Sequence, residues 1–239
     1  MVECDLAKVD VAGSNPVSRS KSFLSPDGMI KRFVVVACAA ILAAFSICAQ
    51  EYKLEAASPA PPDLPSAYAS VAFQNPGYRV VGPSGPWCEV WFRNSLPSGP
   101  KPADSAISFA IPQGALIGML RFPSQGADRR GQVIKPGVYT LRYSDYPVDG
   151  AHQGVAPQRD FALMTPIAAD PDPNATPAFE ALVKQSGGAS GTPHPAVLSL
   201  ETPADPKFPA VTKEGDHDWV LNVKLGDLPL AIIVAGKVE

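Results

Sequence analysis

The sequence predicts a mostly β protein: a single β-sandwich or open barrel with one short helix, after an N-terminal export signal. Short apolar segments with a period of two recur along the chain, and turn residues separate them. The 239 residues include 27 prolines. Because proline lacks an amide hydrogen, it is rare in helix interiors and central strands, so this number favours short elements joined by many turns.

Residues 29–49 have the three-part layout of a signal peptide. The basic pair Lys31-Arg32 precedes an apolar run over residues 33–47, and small residues follow before Gln50. An uncleaved membrane anchor and a lipoprotein modified at Cys48 are the alternatives. The apolar run is shorter than the ~20 residues that span a bilayer, and a bulky Ile47 before Cys48 does not suit lipid attachment. We therefore expect cleavage near residue 49.

Residues 1–28 do not fit that layout, because a signal peptide begins close to its basic residues and Met29 stands just before them. The segment Gly13-Ser14-Asn15-Pro16 can be encoded by GGT TCG AAT CC, which is the usual T-arm sequence of a transfer RNA gene. We interpret residues 1–28 as an over-extended gene start. A disordered leading segment is the alternative.

Charge and cysteine content exclude several classes of protein. Lys and Arg total 20 against 23 Asp and Glu, and no basic cluster is present. Binding to nucleic acid, or to a membrane surface through basic residues, is therefore not expected. Only Cys88 follows the signal segment, so no disulfide can form within the mature chain. The fold must depend on its apolar core, and we predict no membrane span in the mature chain.

Residues 50–66, rich in proline and alanine, are interpreted as a leader, and residues 67–239 as a single β-rich domain. The first strands are expected at residues 78–81 and 87–93. In the second strand Cys88, Val90 and Phe92 alternate with larger and charged residues, so these three should face the core. Trp87 and Trp91 would then form a strip on the outer surface, unless loops cover them.

Residues 115–122 are almost continuously apolar, which is typical of a buried strand. Pro136-Gly137 predicts a turn before a strand at residues 138–143, in which Tyr139, Leu141 and Tyr143 should face inward. This Pro-Gly-x-Tyr-x-Leu pattern resembles the beginning of a strand in many extracellular β-sandwich modules. The resemblance implies that the Tyr139 hydroxyl bonds to a nearby backbone group.

The remaining elements follow from the same signals. Residues 160–164 and 196–200 are expected to be strands, and residues 218–225 and 228–235 a hairpin around Gly226-Asp227. One helix is expected at about residues 176–186. Asn174 or Thr176 would cap it, and Gly187-Gly188 would end it.

Two arginines and two polar loops are the best candidates for a binding site. Arg129 and Arg130 are adjacent, as in sites that bind carboxylates or phosphates. The loops at residues 150–160 and 190–195 are rich in Gly, Pro and hydrogen-bonding side chains, and such loops often carry function. The predicted ligand-binding residues are Arg129, Arg130, His152, Arg159, Asp160, His194, Trp87 and Trp91. We predict no catalytic residue, no metal ligand and no cofactor.

A second hypothesis uses the three histidines, His152, His194 and His217, with Asp160. Three imidazoles could hold zinc with one position open, as in metal-dependent hydrolases, or act in acid–base catalysis. However, no two of these histidines have the spacing of ligands on one helix or strand. Asp216-His217-Asp218 is more typical of a solvated turn.

The mature chain resembles an uncharacterised family of exported bacterial proteins in the Asp128-Arg129-Arg130-Gly131 segment, in residues 134–143 and in residues 190–196. No activity follows from that resemblance, which implies only export to the periplasm or the medium. The sequence therefore favours a non-enzymatic extracytoplasmic β module that binds a small molecule, a glycan or an envelope protein. The alternative is the metal-dependent or acid–base hydrolase.

Overall fold

A computed structural model describes residues 51–96, 109–145, 159–204 and 207–237. Ten antiparallel strands form one sheet that is nearly closed as a barrel, and one α-helix packs on it. The predicted mostly β class with an open barrel and one helix is therefore confirmed. These elements belong to one compact unit, Gln50–Glu239.

The strands run in the order β1-β2-β3-β4-β7-β8-β9-β12-β11-β10, and β5 pairs only with β6 in a small separate hairpin. Every pairing is antiparallel. The bounds are β1 Lys53–Ala56, β2 Tyr78–Gly82, β3 Gly85–Phe92, β4 Leu116–Phe122, β5 Gly126–Ala127, β6 Val133–Ile134, β7 Gly137–Asp145, β8 Asp160–Pro166, β9 Val197–Glu201, β10 Ala210–Glu214, β11 Asp218–Leu225, β12 Leu228–Ala235 and helix α1 Phe179–Ser190.

Antiparallel pairing gives the barrel two ends. At one end lie the β2–β3 turn, the β5–β6 hairpin and the β10–β11 turn; we call it the closed end. At the other lie the last residue of β1, Asn94 after β3 and the β11–β12 turn; we call it the open end. Between β1 and β10, the two outermost strands of the order, is a seam without a hydrogen-bonded ladder.

The barrel interior is filled by alternate residues of the strands. Cys88, Val90 and Phe92 are fully buried there, as predicted. Burial raises the pKa of the Cys88 thiol, so this cysteine stays protonated and unreactive. Tyr139 also faces the core, and its hydroxyl donates a 2.6 Å hydrogen bond to the Lys135 carbonyl oxygen. The backbone bond implied by the β-sandwich resemblance is therefore present.

Arg142 lies on the outer side of β7, yet it is completely buried. Its guanidinium group donates bonds of 2.6 and 2.8 Å to the two carboxylate oxygens of Asp170. It also donates to the carbonyl oxygens of Gly114, Asp172 and Ala175. A buried charge is tolerated only when it is paired and fully hydrogen-bonded, so this group fixes the loop that leads into α1.

The helix differs in position from the prediction, because it runs from Phe179 to Ser190. No side chain caps its first residue, and it ends at Gly191, whose φ of 72° is favourable only for glycine. Gly187 and Gly188 are helical instead of ending the helix. Tertiary contact explains the extension: the Ser186 hydroxyl bonds to two backbone groups of the sheet, and Gly188 allows the helix to approach Pro166.

Two sheet strands were not predicted. Strand β1 lies within residues 50–66, where a leader was expected, and it is stabilised by pairing with β2 over its four residues. Strand β10 pairs with β11 and carries few large apolar residues. Edge strands are half-exposed, so their sequences lack the strong apolar alternation that identifies central strands.

The expected signal peptide at residues 29–49 and the segment 1–28 lie outside the described residues, as does His152. Within the described part of the chain, no helix is long and apolar enough to cross a bilayer.

Candidate functional site

The two tryptophans do not form the surface strip that the alternation predicted. Trp91 does point outward from β3, but it is completely buried. Its indole N–H donates a 2.8 Å hydrogen bond to the Ser58 carbonyl oxygen, and Gly77 packs against the ring. The segment that follows β1 therefore covers Trp91, and no ligand can reach the ring face.

Trp87 points into the barrel because of a β-bulge. Val80 pairs with Cys88 and Val81 with Pro86, so Trp87 is the extra residue and its side chain changes face. The ring lies edge-on to Phe122 at 5.6 Å, and its N–H donates a 2.8 Å hydrogen bond to the Val234 carbonyl oxygen. Trp87 thus fills the closed end of the barrel.

Arg130 is held by groups of the protein itself. Its guanidinium group binds the buried Asp128 carboxylate at 2.7 Å and the Pro195 carbonyl oxygen at 2.6 Å. The other oxygen of Asp128 accepts bonds from the backbone N–H groups of Arg130 and Gln132. The β5–β6 hairpin is thereby attached to the loop that contains His194.

Arg129 points to the other side of the hairpin and binds Asp218 at the start of β11. Its Nε lies 3.0 Å from both carboxylate oxygens, and one of its terminal nitrogens lies 2.9 Å from Oδ2. This two-pronged geometry is the strong form of an arginine–carboxylate pair. Both arginines therefore have protein carboxylates where an anionic ligand was expected.

Acidic residues surround that ion pair. Glu201 is about half buried, and its pKa is raised, first by burial and then by the charges of Glu214 and Asp218, while Arg129 lowers it. Arg129 is the cation that offsets this cluster. The closed end therefore offers no unused positive charge on Arg129 or Arg130 for a phosphate or carboxylate.

Arg159 and Asp160 lie at the open end, where β8 begins. Asp160 is fully buried and accepts a 2.6 Å hydrogen bond from the Tyr143 hydroxyl, and Arg159 binds Asp145 at 3.3 Å. Burial, and then the bond to Asp160, raise the pKa of Tyr143, so its hydroxyl remains a donor. Strand β7 runs from the closed end to the open end over about 25 Å, at ~3.3 Å for each residue, so this pair and Arg129 lie at opposite ends of the barrel.

The histidines do not form a metal site among the residues that the structure describes. His194 is exposed on the loop after α1, and His217 is exposed in the β10–β11 turn. In the described ranges, no group of three or more His, Cys, Asp or Glu side chains could hold a metal ion. The hydrolase hypothesis also depends on His152, which lies outside those ranges, so it stays a prediction.

A site that the sequence did not indicate lies where the seam reaches the open end. A pocket of about 560 Å³ opens there between β1 and the start of β10; we call it the seam pocket. Its volume is within the ~300–1,000 Å³ of small-molecule sites. It is lined by Leu54, Glu55, Ala56, Gln74, Asn75, Pro76, Gly77, Tyr78, Asn94 and Pro209.

The two ends of the seam differ in the side chains that lie between the sheet edges. At the closed end, Tyr52 lies 5.3 Å from Trp219 and 6.2 Å from Trp87 between ring centres, and these rings fill the space between the sheet edges. At the open end, the Gln74 side chain spans the gap with a 2.7 Å bond to the Lys224 carbonyl oxygen. The seam pocket lies beside that bridge.

A second pocket of about 440 Å³ shares Asn94 with the first; we call it the neighbour pocket. Its wall is largely aliphatic, with Leu96, Ile111, Leu225 and Leu228. The open end therefore combines a pocket with a mixed polar and apolar lining and an adjoining pocket that is more apolar.

Backbone groups of β1 also face the seam pocket. The Ala57 N–H donates to the Gly77 carbonyl oxygen at 2.8 Å, so residues 53, 55 and 57 direct their backbone groups to β2. Because the bonding direction alternates along an antiparallel strand, Leu54 and Ala56 direct theirs to the seam. Both residues line the pocket.

Comparison with protein-family models, curated proteins and solved structures found no match to this chain. The functional argument therefore depends on the geometry of the chain itself.

Proposed function

We propose that this protein is a non-enzymatic binding module that holds a small ligand in the seam pocket at the open end of its barrel. The seam carries this proposal. An antiparallel sheet that is nearly closed leaves two edges facing each other, and here they diverge into a pocket of about 560 Å³. Pockets of this kind, with a few polar groups on a rigid frame, are the usual place for ligands.

The arrangement of the other candidate residues supports the same choice. At the closed end Arg129, Arg130 and Trp87 are each bonded to groups of the protein. At the open end the exposed side chains of Asn75 and Asn94 have no hydrogen-bond partner among the described residues. Polar groups without partners in a pocket are available to a ligand.

The site of action that we propose is outside the cytoplasm, where the signal at residues 29–49 would deliver the mature chain. A fold stabilised by an apolar core, with Cys88 buried and no disulfide among the described residues, is compatible with oxidising and reducing compartments alike.

The test is two-dimensional NMR of the purified protein with four probes of different chemistry: glucose, succinate, putrescine and indole. We expect at least one probe to shift the backbone amide signals of Asn75, Tyr78 and Asn94 more than signals elsewhere. The proposal is overturned if none of the four shifts these signals, or if the largest shifts lie outside the pocket.

A pocket-filling variant gives the matched control. Ala56 is exposed and lines the seam pocket, whereas Ala69 is exposed and lines neither pocket. Ala56→Phe should abolish the response to the probe, and Ala69→Phe should leave it unchanged. Equal responses in both variants would place the binding elsewhere.

A further inference from the structure

We infer that the ligand of the seam pocket is a neutral, hydroxyl-rich molecule, a mono- or disaccharide; this inference rests on the proposed function. The two carboxamides at Asn75 and Asn94, the Glu55 carboxylate and the free backbone edge of β1 carry the argument.

Anionic ligands do not suit the open end. Neither Lys nor Arg is among the lining residues of the two pockets in the described part of the chain, whereas Glu55 and Asp227 are. An anion would approach two carboxylates, and the nearby Lys224 ammonium already lies over the Phe208 ring, 5.5 Å from its centre. Unpaired like charges disfavour binding. Phosphorylated and carboxylated molecules are therefore poor ligands for this site.

An inserted peptide strand does not fit the seam either. Strands β1 and β10 approach within 8 Å between Cα atoms. A strand between them would need about 9.6 Å, which is twice the ~4.8 Å spacing of paired strands. The seam pocket is thus a site for a compact molecule at the open end of the seam.

The polar groups of the pocket match hydroxyl groups in particular. A carboxamide offers two N–H donors and one carbonyl acceptor, and a hydroxyl both donates and accepts, so one carboxamide can bind two neighbouring hydroxyls of a sugar. Asn75 and Asn94 provide two such groups, and Glu55 adds an acceptor. The backbone N–H and C=O groups of Leu54 and Ala56 extend the same mixed pattern.

Gln74 provides a third carboxamide at the pocket, and two hydrogen bonds fix its position. The Gln74 oxygen accepts a 2.6 Å bond from the Tyr78 hydroxyl, and its NH₂ group donates to Lys224. Burial raises the pKa of Tyr78, so the hydroxyl keeps its proton for that bond. Gln74 and Tyr78 therefore form a preorganised wall, which lowers the entropy lost when a ligand binds.

The experiment is an NMR titration of the purified protein with glucose, galactose, N-acetylglucosamine and cellobiose, with succinate and putrescine for comparison. We expect at least one saccharide to bind at the seam pocket with a measurable Kd. Asn75→Ala combined with Asn94→Ala should weaken that binding by about tenfold or more, because two hydrogen-bonding groups are lost. Asn174→Ala, at an exposed asparagine that lines neither pocket, should leave the Kd unchanged.

Glu55→Gln separates a neutral ligand from a cationic one. Glutamine keeps a hydrogen-bonding oxygen and removes the charge, so the Kd for a saccharide should change by less than about threefold. Binding of a cationic ligand should be lost, because its partner charge is gone.

Binding of putrescine or succinate at the pocket without any saccharide would overturn the ligand class and leave the binding function intact. If no probe gave a response, both the ligand class and the proposed binding function would be overturned. A saccharide that binds equally well to the double variant would place the sugar site elsewhere.

Discussion

The two ends of the barrel use their conspicuous residues in opposite ways. At the closed end Trp87, Arg129 and Arg130 are bonded to carbonyl oxygens or carboxylates of the protein. At the open end Asn75 and Asn94 are exposed in pockets and lack hydrogen-bond partners among the described residues. The tryptophan and the two arginines at the closed end are therefore structural. The two asparagine side chains at the open end are the ones available to the ligand that we propose.

Trp87→Ala should have the largest effect on stability. The ring fills the closed end against Phe122, and its removal leaves a cavity and the Val234 carbonyl oxygen without its donor. We expect a loss of about 3 kcal/mol in the free energy of unfolding, measured in urea. Trp87→Phe should lose less because most of the ring volume remains. A loss below ~1 kcal/mol for the alanine variant would contradict the structural role.

Asp128→Ala should have the second-largest effect on stability. The carboxylate holds Arg130 and two backbone N–H groups of the β5–β6 hairpin. Its loss should lower the free energy of unfolding by about 2 kcal/mol, as expected when one partner of a buried charged pair is removed. Asp128→Asn keeps an acceptor for the backbone groups and should give an intermediate value. Improved stability in the alanine variant would show that the ion pair is not needed for the hairpin.

Glu201 should make stability depend on pH. Its folded-state pKa is raised, so the folded protein binds more protons than the unfolded chain at mildly acidic pH. Stability should therefore fall as the pH rises from about 4, the usual value for glutamate, towards the raised pKa. Glu201→Gln should remove this fall and should be more stable than the wild type at neutral pH. If the thermal midpoints of the two proteins changed in parallel with pH, Glu201 would not be the cause of the pH dependence.

The smallest effect on stability should come from the open end. Asn75 and Asn94 are exposed, so alanine at both positions should change the free energy of unfolding by less than about 0.5 kcal/mol. The same double variant is expected to bind the saccharide about tenfold more weakly or worse. A large loss of stability would mean that these side chains support the fold and are not held ready for a ligand.

The central strands were predictable because their physics is local. Residues 87–93 and 138–143 alternate in polarity, and the residues expected to face inward in each strand do so. Residues 218–225 form a strand as predicted. Residues 53–56 and 210–214 were not predicted, because β1 and β10 depend on pairing with one neighbour. The bulge that turns Trp87 inward depends on the register of β2 against β3, which alternation within β3 alone cannot show.

The binding site that we propose was less predictable than the fold. Asn75 and Asn94 belong to different connections, and the pairing of residues 72–74 with residues 92–94 brings them to the same pocket. The Asn75-Pro76 and Asn94-Ser95 pairs are typical turn sequences, so they carry no functional signal of their own. Residues 190–195 were a candidate because the loop is polar, but its contact with Arg130 is made by the Pro195 backbone carbonyl oxygen.

The most direct test is a saccharide titration followed by NMR over the whole protein, in which both ends of the barrel are observed in the same spectra. We predict that the amide signals of Glu55, Asn75 and Asn94 shift together with one Kd while those of Arg129 and His194 stay in place. Shifts centred on Arg129 and His194, with the open end unchanged, would contradict the assignment of the binding site to the seam pocket.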